Sequence, residues 1–174
     1  KNITFPENLA NVSFAEGCFK WCSSLDNIVL PDSLTTIPSS CFYGCTNLQN
    51  IVLPDTIKNI GSYAFTDCTN LQQINIPDSV TNIAEHAFEN CSSLKSIVLP
   101  IGGKLNCSAH YTGSHYLSND SFINYQGISD YTFYNCSGLK EVTFKNGNTT
   151  QLIGAYAFAG CSQLQKINIS DNIK

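Results

Sequence analysis

The sequence repeats itself at intervals of about 23 residues, and this periodicity restricts the fold more than any other feature. One copy, from Phe42 to Ile60, reads F-x-x-C-x-x-L-x-x-I-x-L-P-x-x-I-x-x-I. The phenylalanines that open successive copies are Phe19, Phe42, Phe65, Phe88, Phe133 and Phe158. A fixed period of roughly 20 to 50 residues is typical of solenoids, in which neighbouring turns bury a common core. The chain is therefore predicted to form a stack of turns.

Within each repeat the residues predict one short strand. In Ile51-Val52-Leu53, the alternation places Ile51 and Leu53 inward and Val52 outward. Pro54 has no N–H to donate and ends the strand, whereas Ala64-Phe65 with Cys68 is interpreted as one short helical turn. The predicted strands are parallel, form one continuous sheet and lie near residues 27–30, 50–53, 73–76, 96–99, 141–144 and 166–169.

The motif C-x-x-L-x-x-I-x-[IL]-P-x-[ST]-[LIV]-x-x-I followed by A-F-x-x-C resembles the leucine-rich repeat family, and within it the BspA-like (Treponema pallidum-type) class of microbial surface proteins. The resemblance covers nearly the whole chain except residues 101–127. It implies an α/β fold: a right-handed solenoid with one short parallel strand and one helical turn per repeat. Residues 1–174 are predicted to be a single solenoid. Since no polar cap is evident at either terminus, we interpret it as a fragment of a longer array.

Six of the nine cysteines occupy one repeat position and are predicted to be buried, reduced thiols, because free cysteine behaves as a small hydrophobe. They are Cys22, Cys45, Cys68, Cys91, Cys136 and Cys161. Cys18 and Cys41 stand where other repeats carry alanine, which again indicates small, buried side chains. Because these two stack in adjacent turns, a disulfide between them is the alternative.

The sequence contains no recognisable catalytic, cofactor or metal site. The spacing of Cys107, His110 and His115 is too loose for a zinc site and lacks a fourth ligand. No Ser-His-Asp order, paired carboxylates or Gly-rich phosphate loop is present, so we expect no enzyme, no cofactor and no metal. His86 is interpreted as a surface residue.

Charge and hydropathy exclude two classes of partner. The chain has a net charge of −4 and contains no arginine, whereas a nucleic-acid-binding protein needs a basic surface. No apolar run approaches the roughly 18 residues that a membrane span requires. We therefore expect neither nucleic-acid binding nor membrane insertion of this segment.

Two surfaces are candidates for binding a protein partner. The first is the outward side of the strands, with Val29, Val52, Asn75 and Val98; the alternative is that β-branched residues simply favour exposed strands. The second is the insertion at about residues 101–127, which is rich in tyrosine, serine, glycine and asparagine, as adaptable recognition loops are. Its aromatic candidates are Tyr111, Tyr116, Phe122 and Tyr125. The alternative for the insertion is a tolerated loop without a function.

The resemblance implies a non-enzymatic adhesion module of a cell-surface or secreted microbial protein. Its partner would be a host extracellular-matrix protein or another cell-surface protein. Two alternatives stay open: a structural spacer that needs no ligand, and an intracellular interaction scaffold. The sequence leaves the oligomeric state undetermined, and the flanking sequence would discriminate best among these functions.

Overall fold

The computed structural model describes residues 2–6, 9, 12–100, 106–107, 125–145 and 152–168. In this part of the chain each repeat forms one turn of a solenoid. Its strands, in chain order, are β1 (Asn2–Ile3), β2 (Asn27–Ile28), β3 (Thr36–Ile37), β4 (Asn50–Ile51), β5 (Asn59–Ile60), β6 (Gln73–Ile74), β7 (Asn82–Ile83), β8 (Ser96–Leu99), β9 (Asn106–Cys107), β10 (Tyr125–Ile128), β11 (Glu141–Phe144), β12 (Leu152–Ile153) and β13 (Lys166–Asn168).

The predicted strands form one wall of the solenoid, which we call the strand wall, and they pair with one another in parallel, as expected. The ladders are β1–β2, β4–β6 and β8–β11–β13, and a bridge between Val29 and Val52 joins β2 to β4. The wall therefore consists of three ladders and not of the one continuous sheet that was predicted. Next to Val52, the main-chain N–H and C=O of Leu53 bond to the side-chain amide of Asn75, at 2.9 and 3.1 Å, and not to a neighbouring main chain.

A second sheet, which the sequence analysis did not predict, is formed by strands that come after those of the strand wall along the chain. Its strand order is β12-β10-β9-β7-β5-β3. Ile37, Ile60 and Ile83, in strands β3, β5 and β7, are buried in the core. The β9–β10 pair is antiparallel, while the other pairs in this sheet are parallel.

The prediction of a helical turn around each phenylalanine is wrong: no helix is present in the described ranges. Tyr63 and Asp67, two residues before and after Phe65, have φ angles of 59° and 60°, which an α-helix cannot accommodate. Their N–H groups and that of Phe65 donate instead to carbonyls of the next turn, at 2.8–3.2 Å. We call these segments, residues 16–21, 39–44, 62–67, 85–90, 130–135 and 155–160, the Phe turns.

The phenylalanine rings of the six repeats stack into one continuous column. Consecutive centroids lie 5.3–5.5 Å apart and the rings are inclined by only 1–10°. Phe88 stacks on Phe133 at 5.5 Å although 45 residues separate them, so the insertion does not interrupt the core. The four inner rings are fully buried, while Phe19 and Phe158 are partly buried.

We predict that Phe65→Ala lowers the free energy of unfolding by about 3–5 kcal/mol, because it removes a fully buried ring and leaves a cavity. Urea denaturation followed by circular dichroism measures this change. Val52→Ala, at a side chain that is 72% exposed, is the control and should shift stability by about 0.5 kcal/mol or less. Equal midpoints for the two variants would contradict the role of the phenylalanine column.

Candidate functional site

The first candidate surface is a row of exposed valines on the strand wall. Val29, Val52 and Val98 are 64%, 72% and 45% exposed, although their neighbours along the chain are buried. Val29 and Val52 are bridge partners in adjacent turns, and Asn75 occupies the equivalent position in the turn between Val52 and Val98. The structure therefore brings four predicted residues into one line, which we call the valine row.

Asn75 differs from the valines because its side chain already has a structural role. Its Nδ2 donates to the Leu53 carbonyl at 3.1 Å, and its Oδ1 accepts the Leu53 N–H at 2.9 Å. The apolar contact area of the row is consequently supplied by the valines.

The second candidate surface, the insertion, is described only at its base. Tyr111, Tyr116 and Phe122 lie outside the described residues. The main chain of Tyr125 begins β10 and pairs with Cys107 of β9. Because β9 and β10 belong to the second sheet, this base lies on that sheet and not on the strand wall.

A third surface, missed by the sequence analysis, is a stack of aromatic rings that runs along the Phe turns. Tyr63, His86 and Tyr131 stack with centroid distances of 4.6 Å and nearly parallel planes, and Tyr156 continues the stack at 5.0 Å. The His86 Nδ1 lies 2.7 Å from the Glu89 carboxylate. Each ring comes two residues before a core phenylalanine, so the shared repeat position was the available signal. We call this surface the aromatic stack.

The aromatic stack lies on the acidic part of the molecule. Among the described residues, the Phe turns carry five carboxylates and one lysine, whereas the other segments carry five of each. The pKa of Tyr63 is raised, mainly by partial burial and to a smaller extent by the negative charges of Glu85 and Glu89. The single lysine, Lys20, places its Nζ 4.9 Å from the centroid of the Tyr43 ring. This face is therefore suited to cationic groups.

The column of six cysteines consists of free thiols, as predicted, and all but Cys22 are buried. Five of them donate an S–H hydrogen bond, at 3.0–3.2 Å, to the carbonyl of the phenylalanine one repeat earlier. Burial raises the pKa of Cys45 to about 12 and that of Cys161 to about 11. These thiols are thus structural donors with little thiolate character, which disfavours a nucleophilic role.

We predict that alkaline pH destabilises the protein through these thiols. Their pKa is higher folded than unfolded, so above pH 9 the unfolded chain releases protons that the folded chain retains. Each buried thiol should then lower the free energy of unfolding by about 1.4 kcal/mol per pH unit between its two pKa values. Urea denaturation from pH 8 to about pH 10 measures the slope. The control, Cys68→Ala with Cys91→Ala, should have a shallower slope; an unchanged slope would contradict this origin.

Neither a metal-binding cluster nor a membrane-spanning helix occurs within the described ranges. No group of three or more metal-ligating side chains occurs there. His110 and His115 lie outside those ranges, and only the main chain of Cys107 lies within them. No helix in those ranges has the length and apolar character needed to cross a membrane.

Comparisons with known proteins agree with this architecture. A family model described as the BspA type leucine rich repeat region matches six copies, over residues 12–105 and 111–174. The crystal structure of the T. pallidum leucine rich repeat protein is similar, with 26% identity and a TM-score of 0.63 over 95% of this chain and 57% of that one. A leucine-rich repeat protein from Bacteroides ovatus has 28% identity and a TM-score of 0.61, over 94% of this chain and 47% of that one.

The pneumococcal vaccine antigen PcpA shares the fold, with 21% identity and a TM-score of 0.58 over 83% of this chain and 31% of that one. This chain thus spans between about a third and just over half of these structures. A search of curated protein sequences found no significant match.

Proposed function

Because the chain belongs to the BspA-type leucine-rich repeat family, we propose that it is a non-enzymatic protein-binding module of a cell-surface or secreted microbial protein. Its proposed partner is a host extracellular-matrix protein or another cell-surface protein. The exposed valine row carries the proposal. Three apolar side chains at one position within four consecutive repeats form a contact strip across several turns, and solenoids use such extended surfaces for binding.

The geometry of the row favours a polypeptide that crosses several turns. Neighbouring parallel strands are spaced by about 4.8 Å, so the row from Val29 to Val98 extends over about 15 Å. The row itself carries no charged side chain, and its only amide, that of Asn75, is bonded to Leu53. Desolvating the valines therefore costs little when a partner covers them, which supports the strip as the contact core.

We predict that Val29→Glu with Val52→Glu weakens binding to a matrix protein at least tenfold, because two charges would be buried against the partner. Biolayer interferometry against a panel of purified extracellular-matrix proteins measures the affinity. The control is Ile153→Glu, at an apolar side chain that is 40% exposed and belongs to β12 of the second sheet. Conserved circular dichroism and melting temperature establish that both variants are folded.

Each result of this comparison has a distinct meaning. Equal binding by the parent and the double variant would show that the valines take no part in binding and occupy these positions only because β-branched residues favour strands. Binding that is weakened by salt and lost in Tyr156→Ala would assign the contact to the acidic aromatic stack. A parent that binds nothing on the panel would favour the spacer function.

The insertion is proposed as a second contact, and the structure defines where it can be removed. Replacing residues 108–124 with Asn-Gly retains β9 and β10 and joins Cys107 to its ladder partner Tyr125. Asn-Gly suits a two-residue turn between antiparallel strands. We predict that the deletion variant keeps a melting temperature within a few degrees of the parent, because long surface loops cost little to close or to lose.

The same deletion variant tests the binding role of Tyr111, Tyr116 and Phe122. If the insertion contributes to the contact, the variant loses affinity for whichever matrix protein the parent binds. Unchanged affinity in a folded variant would show that the insertion has no part in binding. A collapsed melting temperature would show instead that residues 108–124 belong to the folded stack.

A further inference from the structure

Cys18 and Cys41 differ from the cysteine column in what their sulfurs contact. Their Sγ atoms lie 3.5 Å apart, in adjacent turns, and both residues directly precede a core phenylalanine. Five thiols of the column are each directed at a main-chain carbonyl instead. The other repeats carry alanine or threonine at this position, namely Ala64, Ala87, Thr132 and Ala157. Within the described residues, this is the one thiol pair that is hydrogen-bonded sulfur to sulfur.

The main chain around the pair is already held in the register that a disulfide requires. The N–H groups of Gly17 and Phe19, on either side of Cys18, donate to Ser39 and Cys41 of the next turn at 3.0 Å each. Turns bonded in this way are separated by about 4.8 Å, which lies within the Cα separation of roughly 4.4–6.8 Å that a disulfide spans. The two residues are therefore within reach of a disulfide, and side-chain rotation brings their sulfurs toward the bond length of about 2 Å.

We propose that Cys18 and Cys41 form an inter-repeat disulfide when the protein meets an oxidising environment. The oxidant is a small disulfide such as oxidised glutathione. The Cys18 thiolate attacks one sulfur of glutathione disulfide, breaking its S–S bond, forming a mixed disulfide and releasing one glutathione thiolate. The Cys41 thiolate then attacks Cys18 Sγ and displaces the second. The two thiol protons end on the two glutathione thiolates, so two cysteines are oxidised and one glutathione disulfide is reduced.

The order of these steps follows from accessibility. Cys18 is exposed, so an external disulfide can reach it, whereas Cys41 is buried. Burial raises the pKa of Cys41 far above its ordinary value, so few Cys41 thiolates are present at neutral pH. Closure of the bridge is thus the slower step, and it should accelerate as the pH rises.

The bridge would act on a junction that is less buried than the middle of the stack. In the first Phe turn and its continuation, Phe19 and Cys22 are only partly buried, whereas Phe42 and Cys45 are fully buried. Coupling in a solenoid is mostly between nearest neighbours, so a covalent link from Cys18 to Cys41 ties this turn to the next. A closed loop of this length also restricts the unfolded chain and so stabilises the folded one.

The test is oxidation of the purified chain with oxidised glutathione at pH 8. The intact mass should fall by two hydrogen atoms, and non-reducing peptide mapping should join the Cys18 and Cys41 peptides. The melting temperature should rise by several degrees and return on addition of dithiothreitol. Because the oxidant is supplied in the assay, the result does not depend on the proposed surface location.

Cys18→Ala and Cys41→Ala should each abolish the mass change and the stabilisation. Alanine is the residue of three other repeats at this position, so these variants should fold. Cys45→Ala, in the adjacent column, is the matched control and should still form the bridge. Free Cys18 and Cys41 after oxidation, a bridge to any other cysteine, or a disulfide-linked dimer would overturn the proposal.

Discussion

The architecture depends on main-chain hydrogen bonds that run between turns. In the first five Phe turns, alternate N–H groups donate to the next repeat, and this arrangement requires left-handed φ angles two residues before and after the phenylalanine. Non-glycine residues in that conformation cost about 1–2 kcal/mol each. The bonds and the stacked rings, 5.3–5.5 Å apart, offset that cost only while every turn repeats the same path. The recurrence of the same Phe turn in every repeat follows from this requirement.

The same requirement explains why a long insertion is tolerated. The stack fixes where a turn leaves and re-enters its walls, but not the length of chain between those points. Glu141 pairs with Ser96 across 45 residues, just as Gln73 pairs with Asn50 across 23. Val142 and Ile97 are paired in register in the same way, so equivalent repeat positions face the core on both sides of the insertion. Sequence variety can thus accumulate at one junction without affecting the column.

The strand wall, the cysteine column and the family could be predicted from the sequence because similar residues recur at the same positions of successive repeats. The Phe turns could not, because Ala64, Phe65 and Cys68 have the three-residue spacing that a helix also produces. The Phe turns differ from a helix in the positive φ angles of Tyr63 and Asp67, and neither residue type predicts a positive φ angle. Two-residue strands such as β5 are too short to show alternation. The aromatic stack was hidden because Gly17 and Ser40 hold its position in the first two repeats.

The separation of charge from apolar area bears on how a partner would approach. Among the described residues the excess negative charge lies on the Phe turns, whereas the valine row carries no charge. Long-range attraction orients an approaching protein, and desolvated apolar contacts then hold it. Under the proposed function, a partner that carries both a basic region and an apolar strip would be oriented by Glu85 and Glu89 and retained by Val29 and Val52. Added salt would slow its association more than it would speed its dissociation, because the valine contacts are not screened.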